Sequence, residues 1–181
     1  MGRRSGIILV AFHRHAHSIN GRGGLVGARL MLAYPHKLGG LAMTKTETII
    51  NDIYDAWRGQ DLDRLASYLP DDFCHVMHFP SKLHPLAGEC RGKAQVLERW
   101  RLYIDPLEFL RFDTSSLLFG KDRVAAEILL HYRHKETGSD LLTTKANFWR
   151  LEDGWPTRLT EYYDVATLEA FSADVATRVP I

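Results

Sequence analysis

Apolar positions change their spacing along the chain. From Ile49 to Trp57 they recur at helical intervals (Ile49, Ile50, Ile53, Tyr54, Trp57), with Gly59 where a helix C-terminus favours glycine. Thr44 and Glu47, just ahead, have the spacing of a capping box. Asp61 can cap a second, short helix in which Leu62, Leu65, Ala66 and Leu69 share a face until Pro70 stops it. "DDFCHVMHF" alternates and predicts a strand ending at Pro80, and the proline- and glycine-bearing stretch 80–92 predicts a loop. A third helix starts at Lys93, carries Leu97, Trp100 and Ile104 on one side, and ends near Asp105-Pro106. Beyond Pro106 the turn signals "FGKDR", "KETGSD" and "EDGWP" divide residues 107–165 into four strand-like runs, followed by an apolar helical tail. Helix, helix, strand, helix and then four antiparallel strands make an α+β fold, not an alternating parallel one.

The turns also predict which residues share a face. A two-residue turn at Asp153-Gly154 sets Tyr162 opposite Lys145 and Asp164 opposite Thr143, so Thr143, Lys145, Asn147 and Trp149 share a face with Arg158, Thr160, Tyr162 and Asp164. A turn at Thr137-Gly138 adds Ile128, Leu130 and Tyr132 to that face as an apolar wall, while Glu127, His131 and Arg133 point the other way. An apolar wall with a few convergent polar groups suits a small-molecule pocket, which Tyr54, Trp57 and Trp100 can close. Glu161, Tyr163 and Phe148 fall on the opposite, open face, which suits burial in a homodimer. A single bulge would reverse every assignment beyond it. For "GKD" at 120–122, two- and three-residue turns give opposite facings for Arg111 and Asp113, and both stay open.

Charge marks a boundary. Residues 1–46 carry seven basic side chains (Arg3, Arg4, Arg14, Arg22, Arg29, Lys37, Lys45) and no acidic one, so the remainder is net acidic although the whole chain is +1. Residues 1–43 read as a basic, Gly/Arg/His-rich extension that is disordered or lies upstream of the true start; a transit peptide is the competing reading. Residues 44–181 read as the folded domain. His13, His15 and His17 alternate but have no carboxylate or cysteine beside them, so no metal site is expected. The basic arm lacks interleaved aromatics, which argues against nucleic acid, and no apolar run approaches bilayer length, which argues against a membrane. Two cysteines, Cys74 and Cys90, without metal spacing fit a reducing, cytoplasmic setting. No phosphate loop or nucleophile elbow appears, so no cofactor is expected.

The ending "EDGWPTRLTEYYDVATLEAF", the opening "IINDIYDAWRGQDLDRLASYLPDDF" and the entry "GECRGKAQVLERW" resemble the nuclear transport factor 2-like superfamily, and within it the SnoaL-like polyketide cyclase group. The resemblance spans roughly residues 44–172. It implies a cone in which a curved, mostly antiparallel sheet packs on N-terminal helices around a central pocket. It also implies a small hydrophobic or carbonyl-bearing ligand, with cofactor-independent isomerase-, cyclase- or hydratase-type chemistry as one outcome and a non-catalytic domain as the other. Asp164 matches the aspartate that serves relatives as acid or base at the end of the last strand; capping of the tail helix is the structural alternative. His78 stands where ketosteroid isomerases place their base, near the end of the first strand. The Arg-x-Asp pair of the epoxide hydrolases has no match in "AAEILLHY". Tyr162, Lys145, Asn147, Tyr54, Trp57 and Trp100 are the expected ligand contacts.

Overall fold

The structure, a computed structural model, describes residues 43–80 and 86–178. The basic N-terminal segment with His13, His15 and His17, and also His84, lie outside the described residues. Helix α1 (Lys45–Arg58) begins at the expected capping box: Glu47 N–H donates to Thr44 Oγ1 at 3.2 Å and Thr44 N–H to Glu47 Oε2 at 2.7 Å. Helix α2 (Leu62–Ser67) is capped by Asp61, which accepts from the Arg64 amide at 2.9 Å. Strand β1 (Cys74–His78) follows, then β2 (Gly88–Arg91) and α3 (Lys93–Ile104). Strand β2 occupies part of the expected loop and pairs antiparallel with β1. Its four residues are too short and too exposed to leave a periodic signal.

The four C-terminal runs are strands β3 (Leu107–Phe119), β4 (Arg123–His134), β5 (Asp140–Glu152) and β6 (Trp155–Tyr163), before helix α4 (Val165–Arg178). The sheet runs β2-β1-β6-β5-β4-β3, with only β1 and β6 parallel. Its inner face carries Ile128, Leu130, Tyr132, Leu141, Trp149 and Leu159 into one core with Ile50, Ile53 and Trp57 of α1 and Val96 and Trp100 of α3. This is the α+β cone expected from the sequence. Among the described residues no helix is long and apolar enough to cross a membrane.

Both hairpin registers expected from the turns need revision. The β4–β5 register is displaced by two residues, with Leu130 opposite Thr143 and Ile128 opposite Lys145, so facing is preserved. At β5–β6 the two-residue turn is present, with positive φ at Asp153 (50°) and Gly154 (81°), as a twisted hairpin turn demands. Two residues later the register shifts: Leu151 pairs with Pro156, but Arg150 pairs with Arg158, leaving Thr157 as the extra residue of a bulge. Pro156 has no N–H for the ladder, and the break in pairing sits beside it. Every residue after Thr157 is therefore reversed relative to the expectation. Glu161 and Tyr163 are buried, whereas Tyr162 is 46% exposed and Asp164 lies at the surface. In β3 a tight turn at Lys121-Asp122 and shifts at Leu110 and Ser115 resolve the open question: Phe112 is buried, and Arg111 and Asp113 face outward as an ion pair at 2.5 Å.

Because Thr157 sets the facing of everything after it, deleting it forces either Glu161 out of the interior and Tyr162 into it, or a rebuilt turn. Circular dichroism on heating is expected to show a non-cooperative, early transition for the deletion. The Thr157→Ala variant keeps the backbone count and is expected to remain within about 0.5 kcal/mol of the parent in urea denaturation.

Candidate functional site

Inside the cone, β1, β5, β6 and α3 deliver polar side chains to one point. The Glu161 carboxylate, only 4% exposed, accepts from Lys145 Nζ at 2.5 Å on Oε1, and from Tyr163 Oη at 3.0 Å and His75 Nε2 at 3.1 Å on Oε2. Lys145 Nζ also reaches Tyr163 Oη at 3.4 Å and sits 5.3–5.9 Å from the ring centroids of Tyr163, Trp57 and Phe112, a position that places a desolvated cation against π faces.

The tautomer of His75 follows from its other neighbour. Trp100 Nε1–H, which can only donate, points at His75 Nδ1 at 3.1 Å, so Nδ1 accepts and Nε2 carries the proton given to Glu161. His75 is thus neutral and fully buried, and burial, opposed by the Glu161 hydrogen bond, holds its pKa below the ordinary histidine value. Glu161 goes the other way from what burial alone dictates. Desolvation would raise its pKa, but the Lys145 charge and the His75 hydrogen bond together hold it well below the usual carboxylate range. Tyr163 is pushed well above 10, by burial first and then by the Glu161 charge, so it keeps its proton.

Two cavities meet this network. A pocket of about 20 Å³, lined by Lys145, Glu161, Asn147, Tyr54 and aromatic rings, has room for roughly one water. Asn147 Nδ2 and Trp149 Nε1 both donate to Tyr54 Oη, at 3.4 and 2.8 Å, and the Asn147 Oδ1 atom is buried without a hydrogen-bond partner among the described residues. The larger cavity, about 230 Å³, lies between α3, α4 and the ends of the strands. Its wall is mostly apolar, including Leu102, Leu107, Leu141, Leu168 and Phe171, and its polar groups are Tyr103, His134, Tyr163 and Ser172. Burial raises the Tyr103 pKa, and its hydroxyl, although directed toward that of Tyr163, makes no hydrogen bond of ordinary geometry. Among the described residues Tyr163 is the one side chain that both lines this cavity and hydrogen-bonds to Glu161.

The structure brings together five of the eight residues expected at the site: Lys145, Asn147, Tyr54, Trp57 and Trp100 are all buried around the small pocket. It does not bring in Asp164, Tyr162 or His78. Asp164 caps α4, accepting from Thr167 N–H at 3.2 Å and Thr167 Oγ1 at 2.9 Å, and these bonds lower its pKa. The bulge puts Tyr162 on the outer face of the sheet, where His78 stacks on it with ring centroids 4.5 Å apart. Glu161 and Tyr163 were placed by sequence on the wrong face, and Tyr103 left no signal. His75 did leave one: it sits between Phe73 and Met77 in an alternating run, and all three are buried.

A family model described as SnoaL-like domain matches residues 50–162. Among solved structures, TerC co-crystallised with polyporic acid aligns with a TM-score of 0.65 at 18% identity, over 72% of this chain and 99% of that one. An NTF2-like protein from Burkholderia pseudomallei gives 0.63 at 16% identity over 77% and 100%. A protein from Catenulispora acidiphila with a ketosteroid isomerase-like fold, in complex with trimethylamine, gives 0.59 at 20% identity over 73% and 97%. At such identities the likeness is one of fold. None of the curated proteins matches the chain.

Removing the cation from the network leaves a buried carboxylate unpaired. Lys145→Met is expected to lower the unfolding free energy by about 3–5 kcal/mol in urea titrations, and the Lys145→Met/Glu161→Gln double variant to recover part of that loss. Acid has a related effect. With the folded-state pKa values of His75 and Glu161 both depressed, the unfolded chain takes up their protons first. Stability is expected to be full above the ordinary histidine value near 6.5, to decline as pH falls below it, and to decline further below the ordinary carboxylate value near 4.3. Unfolding titrations at stepped pH should show the upper of these declines reduced in His75→Gln.

Proposed function

The chain belongs to the SnoaL-like domain family, and from the geometry of its interior we propose that it binds a small, mainly apolar, carbonyl-bearing molecule and polarises the carbonyl by hydrogen bonding. The observation that carries this reading is Tyr163: a protonated phenol on the wall of the larger cavity, tied at 3.0 Å to an ionised carboxylate and at 3.4 Å to an ammonium. Tyr103 lines the same wall, its hydroxyl buried and directed toward that of Tyr163. Apolar walls bind the body of the ligand, and the Tyr163 phenol fixes its oxygen.

For proton transfer, Tyr163 passes its proton to the ligand oxygen and takes one from Lys145, whose neutral amine is then left beside Glu161. Two linked hops, Tyr163 to the ligand and Lys145 to Tyr163, shift one net proton and conserve charge, and the α-hydrogen released on enolisation passes to water in the cavity. Isomerisations and cyclisations of carbonyl compounds both begin with such polarisation. The role assigned to Asp164 in relatives passes here to Tyr163, because Asp164 is a helix cap at the surface. A second reading, binding without turnover, is favoured by one observation. Glu161 is saturated by three donors and borders a space of only about 20 Å³, so the carboxylate itself is out of a substrate's reach.

A panel of cyclic ketones screened by ligand-observed NMR, followed by incubation of the binders in deuterium oxide, separates the readings. Catalysis predicts deuterium incorporation next to the carbonyl by mass spectrometry, with Tyr163→Phe changing binding by no more than about 3-fold and cutting the exchange rate by at least about 100-fold. Binding with no exchange in the parent protein establishes the non-catalytic reading. No binding by any ketone would sink both.

A further inference from the structure

The larger cavity is polar at two places, and the proposed proton transfer uses only one of them. Tyr163 marks the first: its row in the sheet runs through Lys145 of β5 to Ile128 of β4. His134 marks the second. It is the last residue of β4, on the inward face with Leu130 and Tyr132, and it reaches the same cavity from well beyond the Ile128 row. Helix α4 spans the distance between them. Leu168, Phe171, Ser172 and Val175 have the spacing of one helix face, and all four line the cavity. Ser139, in the β4–β5 turn, interacts with the Asp174 side chain, which sets the nearby Ser172 at the His134 end. An otherwise apolar stripe thus brings one hydroxyl to the end where the imidazole stands.

The neighbours of His134 decide what its ring can do. The Thr137 backbone N–H, which can only donate, points at Nδ1 at 3.3 Å, and the Thr137 hydroxyl lies 3.0 Å from the same atom. Nδ1 is therefore the acceptor, and Nε2 carries the proton of the neutral ring. The contact at Nδ1 ties down the turn, where the His134 N–H also donates to the Ser139 carbonyl and the Gly138 N–H to the His134 carbonyl, both at 2.8 Å. That structural role occupies one ring nitrogen only. Among the described residues neither Nε2 of His134 nor Oγ of Ser172 has a hydrogen-bond partner. A neutral ring in this tautomer cannot take a hydrogen from a substrate, because its free nitrogen is already protonated. It can give a hydrogen bond.

We infer that the ligand carries two oxygens: a carbonyl held by Tyr163 and, at the far end of an apolar body, an acceptor oxygen that takes the His134 Nε2–H with Ser172 beside it. The substrate class narrows to apolar ketones bearing a distal hydroxyl, ether or carbonyl oxygen. The inference rests on the reading of this cavity as a carbonyl site. Polar contacts at both ends of an apolar cavity fix which end of the ligand meets Tyr163, so His134 sets specificity and takes no part in the proton transfer. A site built to hydrogen-bond an oxygen rejects the analogue that lacks it, since the donor then stays unpaired. His134 is only half-buried, which keeps the discrimination at the level of one ordinary hydrogen bond, roughly 5-fold in affinity.

NMR-monitored binding titrations on the full chain test it with two probes of one skeleton: para-cyclohexylcyclohexanone, and the same ketone with a hydroxyl on the far para′ carbon. The hydroxy ketone is expected to bind about 5-fold more tightly than the plain one. His134→Leu should bring that ratio to one, and His134→Gln, whose amide can donate in place of Nε2–H, should retain it. Each ratio compares two ligands on one protein, so a general loosening of the cavity weakens both and leaves the ratio unchanged. Equal binding of the two probes by the parent protein, or a ratio that survives in His134→Leu, overturns the inference while the carbonyl reading stands. Failure of both probes to bind overturns it as well, and the wider ketone panel then shows whether the carbonyl reading falls with it.

Discussion

A buried carboxylate that must remain ionised governs the interior of this domain. Glu161 has lost nearly all contact with water, and desolvation of an anion is costly unless cations and donors replace the solvent. Three elements supply that replacement: Lys145 from β5, His75 from β1 and Tyr163 from β6 itself. Trp100 of α3 then fixes the tautomer that lets His75 donate. Removal of one partner from a buried pair costs about 3–5 kcal/mol, a large share of the 5–15 kcal/mol that holds a typical domain together. The network therefore pins three strands and a helix in one arrangement, whatever it does for a ligand.

One extra residue decides which carboxylate has this role. Glu161 and Asp164 are three apart, so on an extended strand they face opposite ways, and the register of β6 selects between them. Without the bulge at Thr157, Asp164 and Tyr162 would point inward beside Lys145. With it, Glu161 and Tyr163 do, and Asp164 is left to cap α4. Lys145 is compatible with either arrangement, which is why its presence inside does not reveal its partner.

Helices, turn positions and every strand but β2 were legible in the sequence because each rests on a local rule: the Thr44–Glu47 box, the period of Ile49 to Trp57, and the Asp153-Gly154 turn. The inward residues of β5 were legible too, since the β4–β5 displacement is by two and two preserves facing. What failed was long-range propagation of a period of two through a single irregularity. Pro156 marks where the ladder is weakened, but a proline can end a strand, sit at an edge or adjoin a bulge. The choice depends on burial: here Glu161 finds both Lys145 and His75 inside as donors. Tyr103 was beyond reach for a different reason, because where α3 meets α4 is set by packing between elements distant in sequence.

The same network constrains how a ligand can use Tyr163. Its single proton is already given to Glu161, so a ligand oxygen that takes it replaces one charge-assisted hydrogen bond with another and gains little in the ground state. The exchange becomes favourable only as negative charge builds on the ligand oxygen, and Lys145 at 3.4 Å from the phenol is placed to follow that charge. Interactions that strengthen toward the transition state are the ones that accelerate a reaction. A donor otherwise engaged is thus a weak contributor to affinity and a stronger one to rate. On the proposed reading, then, Tyr163 would serve proton transfer more than ligand affinity.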